Sequence, residues 1–325
     1  MEKSTEWIGS DDGTKLFVRR WIPGTLPGKS RAVLHIVHGM AEHSLRYERL
    51  ARRLCDEGFE VWAADQRGHG KTADPAVNDP GRGGLLGHNA DRDGFFRVVT
   101  DIDILNAKIR ETNPGLPLYL LGHSWGSFIA QAYIEKHGSR LAGCALSGTR
   151  GPDGFLALGA PILAFLAACK GGRRGSRLIR AMSDGSYNKP FRPNRTPFDW
   201  LSRDEKEVDA YIADPLCGFL CSAGFYRDMV GGLKAIHTRE AMAGIPRDLP
   251  IYLFCGTADP VGNMGNGPTA LVNAYRSLGI EDLEFVLYPD ARHELLNETN
   301  REEVTGNLIA WLERRYALFR ARRTG

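Results

Sequence analysis

The feature that most narrows the fold is Gly122-His123-Ser124-Trp125-Gly126, a G-x-S-x-G pentapeptide between the apolar run 118–121 and a helix-patterned stretch from Trp125 to His137. Strand, sharp turn and helix in that order carry a serine on a strained turn that tolerates only small neighbours, at a helix N-terminus that favours negative charge. Five residues alone arise by chance. With this flanking pattern, an ordinary glycine-rich turn is the poorer reading.

The rest of the chain supplies the sheet such a turn requires. Two short β-like runs, 5–8 and 16–21, flank the turn signal Asp11-Asp12-Gly13 and read as a hairpin. Ala32 to Val37 is apolar except for one histidine, as expected of a strand buried on both faces of a parallel sheet. After it helix and strand alternate: helix 47–57, strand 59–63, a Gly/Asp/Pro-rich loop 68–94, helix 95–112, strand 118–121, helix 125–137 and strand 141–146. Strands 251–255 and 283–288, with helices 269–278 and 301–320, complete the rhythm. The expected class is α/β, a mostly parallel sheet flanked by helices.

Between about 151 and 250 the alternation fails, and helix-like pieces separated by Gly and Pro replace it. The expected organisation is therefore a core of residues 1–150 and 251–325 with a helical cap inserted at 151–250. Segment 155–169 is apolar nearly all round but broken by Pro161, too short to span a bilayer; burial in the cap is favoured over a lipid-touching lid. The basic run 170–174 reads as a solvated loop.

Composition excludes several classes. Lys plus Arg (42) exceed Asp plus Glu (39) by only 3, so no strong overall field draws nucleic acid or anionic membrane, and nucleic acid is not expected as a partner. The six cysteines lack both the paired spacing of a zinc site and the density of a disulfide scaffold. With no apolar leader and no stretch of about 18 apolar residues, a cytoplasmic setting is expected.

A serine hydroxyl needs a base, and the base needs a carboxylate to orient it. His293 is the preferred base among nine histidines, because it follows the strand 283–288, whereas His237 sits in helix-like sequence and His137 ends a helix. Asp259 follows strand 251–255 and is the preferred acid; Asp153 is its rival, and Asp290 is too near His293 in sequence. The oxyanion of a tetrahedral intermediate needs preorganised N–H donors, expected from Trp125 and from Met40 in the loop after Ala32–Val37, with His38 fixing that loop. Gly70-Lys71-Thr72 does not end a phosphate loop, since Asp65 stands at the first glycine position; Asp65 and Arg67 are expected to pair with each other. Cys217 and Cys221, at i, i+4 helical spacing and without ligand partners, read as cap core.

Together these segments resemble the monoacylglycerol lipase and lysophospholipase branch of the α/β-hydrolases, grouped with serine aminopeptidase-like hydrolases. Residues 38–47 are similar to its HGxxEHSxRY segment and 65–70 to its DxRGHG segment; 256–261 and 293–298 resemble its acid and histidine loops. Trp125 stands where the branch often has Met, and Met40 is bulkier than the usual residue there. The resemblance implies an α/β-hydrolase fold, a Ser124–Asp259–His293 triad, oxyanion donors at Met40 and Trp125, and no metal or organic cofactor. It implies a small-molecule acyl ester as substrate, of monoacylglycerol or lysophospholipid type, with transient membrane-surface contact through the cap. A short-chain carboxylesterase, an aminopeptidase or amidase on the same triad, and a non-catalytic binding protein are the alternatives.

Overall fold

Runs too continuously apolar for a one-sided sheet become strands covered on both faces. The structure, a computed structural model, describes residues 1–24, 30–152, 172–175, 177–183 and 185–324. Among these residues eight strands form one sheet in the order β1-β2-β4-β3-β5-β6-β7-β8: β1 Glu2–Gly9, β2 Lys15–Ile22, β3 Ala32–Val37, β4 Phe59–Asp65, β5 Leu118–His123, β6 Gly143–Ser147, β7 Ile251–Gly256 and β8 Leu283–Tyr288. The hairpin β1–β2 and the β2–β4 pair are antiparallel, and every pairing from β4 to β8 is parallel. Every residue of β3, β5 and β7 is buried. The edge strand β1 is instead exposed and carries Glu2, Lys3 and Glu6, charges that discourage a further strand from pairing there.

Strand periodicity sends alternate side chains to the two faces of the sheet. Leu120, Leu146 and Leu253 face the helices α2 Gly94–Thr112 and α3 Trp125–His137, whereas Tyr119, Leu121, Ala145 and Tyr252 meet α1 Glu48–Asp56 and the C-terminal helix 301–324. The histidine of β3, His35, is tolerated because Nδ1 meets Asn106 Oδ1 at 2.8 Å, while burial lowers its pKa to about 4 and keeps it neutral.

Between β6 and β7 the described residues add no strand to the sheet but hold α4 Arg177–Ser183, α5 Glu205–Ala213, α6 Ala223–Ile236 and α7 Arg239–Met242. The apolar segment 155–169, Lys170 and the rival acid Asp153 lie outside the described residues. Arg173 and Arg174 are exposed as expected, with Arg173 held by Asp91 at 2.7 Å. The last helices are α8 Asn266–Ser277 and α9 Arg301–Thr324.

Two expectations need correction. Asp65 and Arg67 do not pair with each other: Asp65 accepts from Arg19 at 2.7 Å, whereas Arg67 bonds Asp101 and Asp12, each at 2.6 Å. Both acids of Arg67 come from elements distant in sequence, which adjacency could not reveal. Cys217 and Cys221 are buried but lie outside any helix, because α5 ends at Ala213 and α6 begins at Ala223. The loop 68–94 also contains short 3-10 turns, Gly70–Ala73 and Pro80–Arg82.

Candidate functional site

Ser124 sits between β5 and α3 with φ 52° and ψ −121°, a left-handed conformation costing a β-carbon-bearing residue about 1–3 kcal/mol. The surroundings hold it there. Its N–H donates to the Ser147 carbonyl at 2.9 Å, and its carbonyl accepts from Ser127 N–H at 2.8 Å. The flanking glycines are required by close approach. A Cβ on Gly122 would lie 2.7 Å from Ser127 Cα, and one on Gly126 would collide with the Val37 carbonyl oxygen and lie 2.5 Å from that of His38. The turn thus lets α3 lie directly against the end of β3.

His293 and Asp259 arrive on the loops after β8 and β7, next along the sheet. His293 Nε2 is 2.8 Å from Ser124 Oγ, and its Nδ1 is 2.9 Å from Asp259 Oδ2. Asp259 is fully buried, and its other oxygen accepts from Val261 N–H at 2.8 Å. Burial works against protonating His293, but the Asp259 carboxylate outweighs it and raises the imidazole above its ordinary value of 6.5. Gly148, at φ 55°, leaves the ring its space, since a Cβ there would stand 3.0 Å from His293 Cε1. From the segment between β6 and β7, Trp200 packs against the His293 ring at 5.1 Å, and the Leu201 carbonyl accepts from Glu294 N–H at 2.7 Å.

Met40 and Trp125 both lie beside the serine. Trp125 opens α3, so its N–H has no carbonyl partner within the helix. Met40 lines the cavity over Ser124. The Trp125 ring does not, being packed against Phe95 and Phe225 at 5.3 and 4.7 Å with Nε1 donating to Gln66 Oε1 at 2.8 Å. Trp125 therefore fills the core beneath the site and not the cavity wall. His38 fixes the loop as expected: Nε2 accepts from Gln66 N–H at 3.0 Å, and its carbonyl accepts from Gln66 Nε2 at 2.6 Å.

Sequence reasoning missed the charges that brace this loop. Glu42 Oε1 accepts from Gly39 N–H at 2.5 Å and from the Tyr47 hydroxyl at 2.8 Å. Arg46 bridges Glu42 at 2.6 Å and Glu294, which it grips with two bonds of 2.6 and 2.7 Å. One guanidinium thus ties the Gly39–Met40 loop to the residue after His293. The signal was present in the HGxxEHSxRY-like segment, but its partner Glu294 lies far along the chain.

A cavity of about 480 Å³, counted with its mouth, opens over Ser124 and His293. Phe198, Trp200, Tyr211, Phe219 and Tyr226 from the segment between β6 and β7 give it aromatic walls. The remaining candidates lie elsewhere. Asp290 is exposed and its N–H donates to Thr257 Oγ1 at 2.8 Å; His237 meets Gln131 Oε1 at 3.1 Å, and His137 closes α3 against Tyr133. Cys217 does have ligand-type neighbours, His43 and Asp214, their donor atoms all within 4.8 Å of one another. His43 and Asp214 already meet at 2.8 Å, and burial pushes the Cys217 thiol far up, away from the thiolate a metal needs.

The strand order and the serine turn between β5 and α3 place the chain among the α/β-hydrolases. Residues 28–300 match the family described as serine aminopeptidase, S33, and the chain belongs to that family. It is 29% identical to the monoacylglycerol lipase of Mycolicibacterium smegmatis over 304 residues, covering 92% of this chain and 93% of that protein. It is 28% identical to the human monoglyceride lipase over 312 residues, covering 94% and 89% respectively. A thermostable carboxyl esterase from Bacillus coagulans, crystallised with glycerol, superimposes with a TM-score of 0.87 at 29% identity, covering 97% of this chain and 99% of that one.

Proposed function

We propose that the protein hydrolyses carboxylic esters of the monoacylglycerol type through an acyl-enzyme on Ser124, with His293 as base and Asp259 orienting it. The observation that carries this reading is the continuous relay at the strained turn: Ser124 Oγ to His293 Nε2 at 2.8 Å, and His293 Nδ1 to Asp259 Oδ2 at 2.9 Å. Neutral His293 takes the proton as Ser124 Oγ attacks the ester carbonyl, and Asp259 stabilises the imidazolium. The oxyanion is received by the N–H groups of Met40 and Trp125. The imidazolium then protonates the departing alkoxide. Water, deprotonated by His293, releases the acid and restores Ser124.

The segment 151–250 acts in this proposal as a cap, because its aromatic residues wall the cavity over Ser124. Aromatic walls give an acyl chain apolar surface to lie on. The test compares monoacylglycerols of graded chain length with aminoacyl arylamides, using the native protein and Ser124→Ala. Loss of ester hydrolysis and of fluorophosphonate labelling in the variant is expected. Unchanged hydrolysis would remove Ser124 from the mechanism, and a clear arylamide preference would overturn the ester reading.

A further inference from the structure

A cleft larger than the cavity over Ser124 lies at the opposite end of the sheet from it. It opens beside the amino ends of β5, β6 and β7, where Leu118, Ala142 and Pro250 contribute to it, and α9 closes one side. The length of β5, about 20 Å at roughly 3.3 Å per residue, separates it from the serine turn. Its volume is about 1110 Å³ counted with its mouth, against about 480 Å³ for the cavity over Ser124.

The walls have two characters. Leu116, Leu141, Leu249 and Leu318 supply apolar surface, and Leu318 is left 51% exposed. Arg110, Arg140, Arg315 and Arg322 face Asp248 and Asp282, so positive charge is in excess. Arg140 is tied to Asp103 at 2.7 Å, and Arg315 to Asp282 and Glu284 at 2.6 and 2.7 Å. Arg110 and Arg322 have no ion pair among the described residues. Arg110 Nη1 and Arg315 Nε are moreover buried without a hydrogen-bond partner. A buried guanidinium N–H lacking an acceptor is uncommon, and it leaves part of the wall's positive charge without a protein acceptor.

We propose that this cleft binds an anionic single-chain amphiphile, with its carboxylate or phosphate head on Arg110 and Arg322 and its hydrocarbon chain along Leu116, Leu141, Leu249 and Leu318. Neither part of the wall suffices alone. Inorganic anions would leave the leucines wet, and a neutral chain would leave the guanidinium donors unmet. The planar fork of arginine matches both head types. The inference is independent of the chemistry at Ser124.

The test is calorimetric titration of the full chain with dodecanoate and with dodecyl phosphate below their micelle concentrations, and with dodecan-1-ol as the neutral control. Both anions should bind at least tenfold more tightly than the alcohol. The tighter of the two identifies the source, a free acyl carboxylate or a phosphate-headed lipid. Arg110→Met with Arg322→Met should weaken anion binding at least tenfold. Leu318→Glu places a like charge in the cleft from an exposed position, so it keeps the test decisive even where the arginine variant does not fold. Equal binding of dodecan-1-ol, or undiminished anion affinity in folded Leu318→Glu protein, would overturn the proposal. Hydrolysis of p-nitrophenyl butyrate, followed in parallel, should be unchanged in Leu318→Glu. A failure of the cleft is thereby separated from a failure of the ester reading.

Discussion

Arg46→Met should strand two carboxylates in the interior. The side chain of Arg46 is 12% exposed, and those of Glu42 and Glu294 are 4% and 6% exposed, so solvent cannot replace the guanidinium. Removing one partner of such a buried ion pair costs about 3–5 kcal/mol. Total stability is of the order of 5–15 kcal/mol, so the loss should be large and readable. Its pH dependence is the sharper part. Burial pushes both carboxyls up, but Arg46 overcomes this and holds Glu294 below the ordinary glutamate value of 4.5 and Glu42 at about 2. Both therefore stabilise the native fold above pH 4.5, and that contribution is lost only as pH falls through the lowered native values. Without Arg46 burial prevails, the native values rise above the unfolded one, and stability declines as pH climbs. Urea unfolding of the variant and the native protein at pH 5 and pH 8 measures the difference. A deficit under about 1 kcal/mol, or one no larger at pH 8 than at pH 5, would refute the reasoning.

Other consequences can be measured separately. Because Asp259 raises His293 above 6.5, kcat/KM for an ester should climb with pH along a limb centred above that value, and a flat profile between pH 5 and 8 would remove His293 as base. Gly126→Ala should destabilise by about 1–3 kcal/mol through overpacking, since the added Cβ meets the Val37 and His38 carbonyls; a melting temperature within a degree of the native one would contradict the close approach. Burial raises Glu135 from 4.5 to about 8, so the native state holds a proton that the unfolded chain has released, and stability should fall as pH rises from 4.5 through 8. Glu135→Gln should flatten that decline in thermal scans at pH 5.5 and 8.5, and an unchanged slope would show that Glu135 is not its source.

The sheet was legible because its strands read as short, mostly apolar runs: Ala32–Val37, covered on both faces, and the half-buried edge strand Leu283–Tyr288 carry the same bounds in sequence and structure. β6 begins at Gly143, two residues later than its apolar pattern suggests, because the 3-10 turn Gly138–Arg140 takes up the preceding chain. The residues Ser124, Asp259 and His293 were legible for a related reason: each stands just after a strand, and parallel neighbours bring those ends together. The braces were not. Arg46 meets Glu294 from 248 positions away and Arg67 meets Asp101 across 34, separations that no local periodicity encodes. Cys217 and Cys221 misled because i, i+4 spacing carries helical meaning only inside a helix. The aromatic wall of the cavity likewise rests on Phe198, Tyr211 and Phe219, scattered through a segment without regular period.

The order in which the sheet can be assembled follows from the pairing of β6 with β7, where Cys144 stands opposite Ile251. A chain emerging from the ribosome makes the residues of the serine turn before those of β7 and β8. The carboxylate and the imidazole arrive on β7 and β8, after the whole intervening segment has been synthesised. On the proposed mechanism Ser124 would therefore stay without its base and its carboxylate until β7, β8 and the loops that follow them have been made.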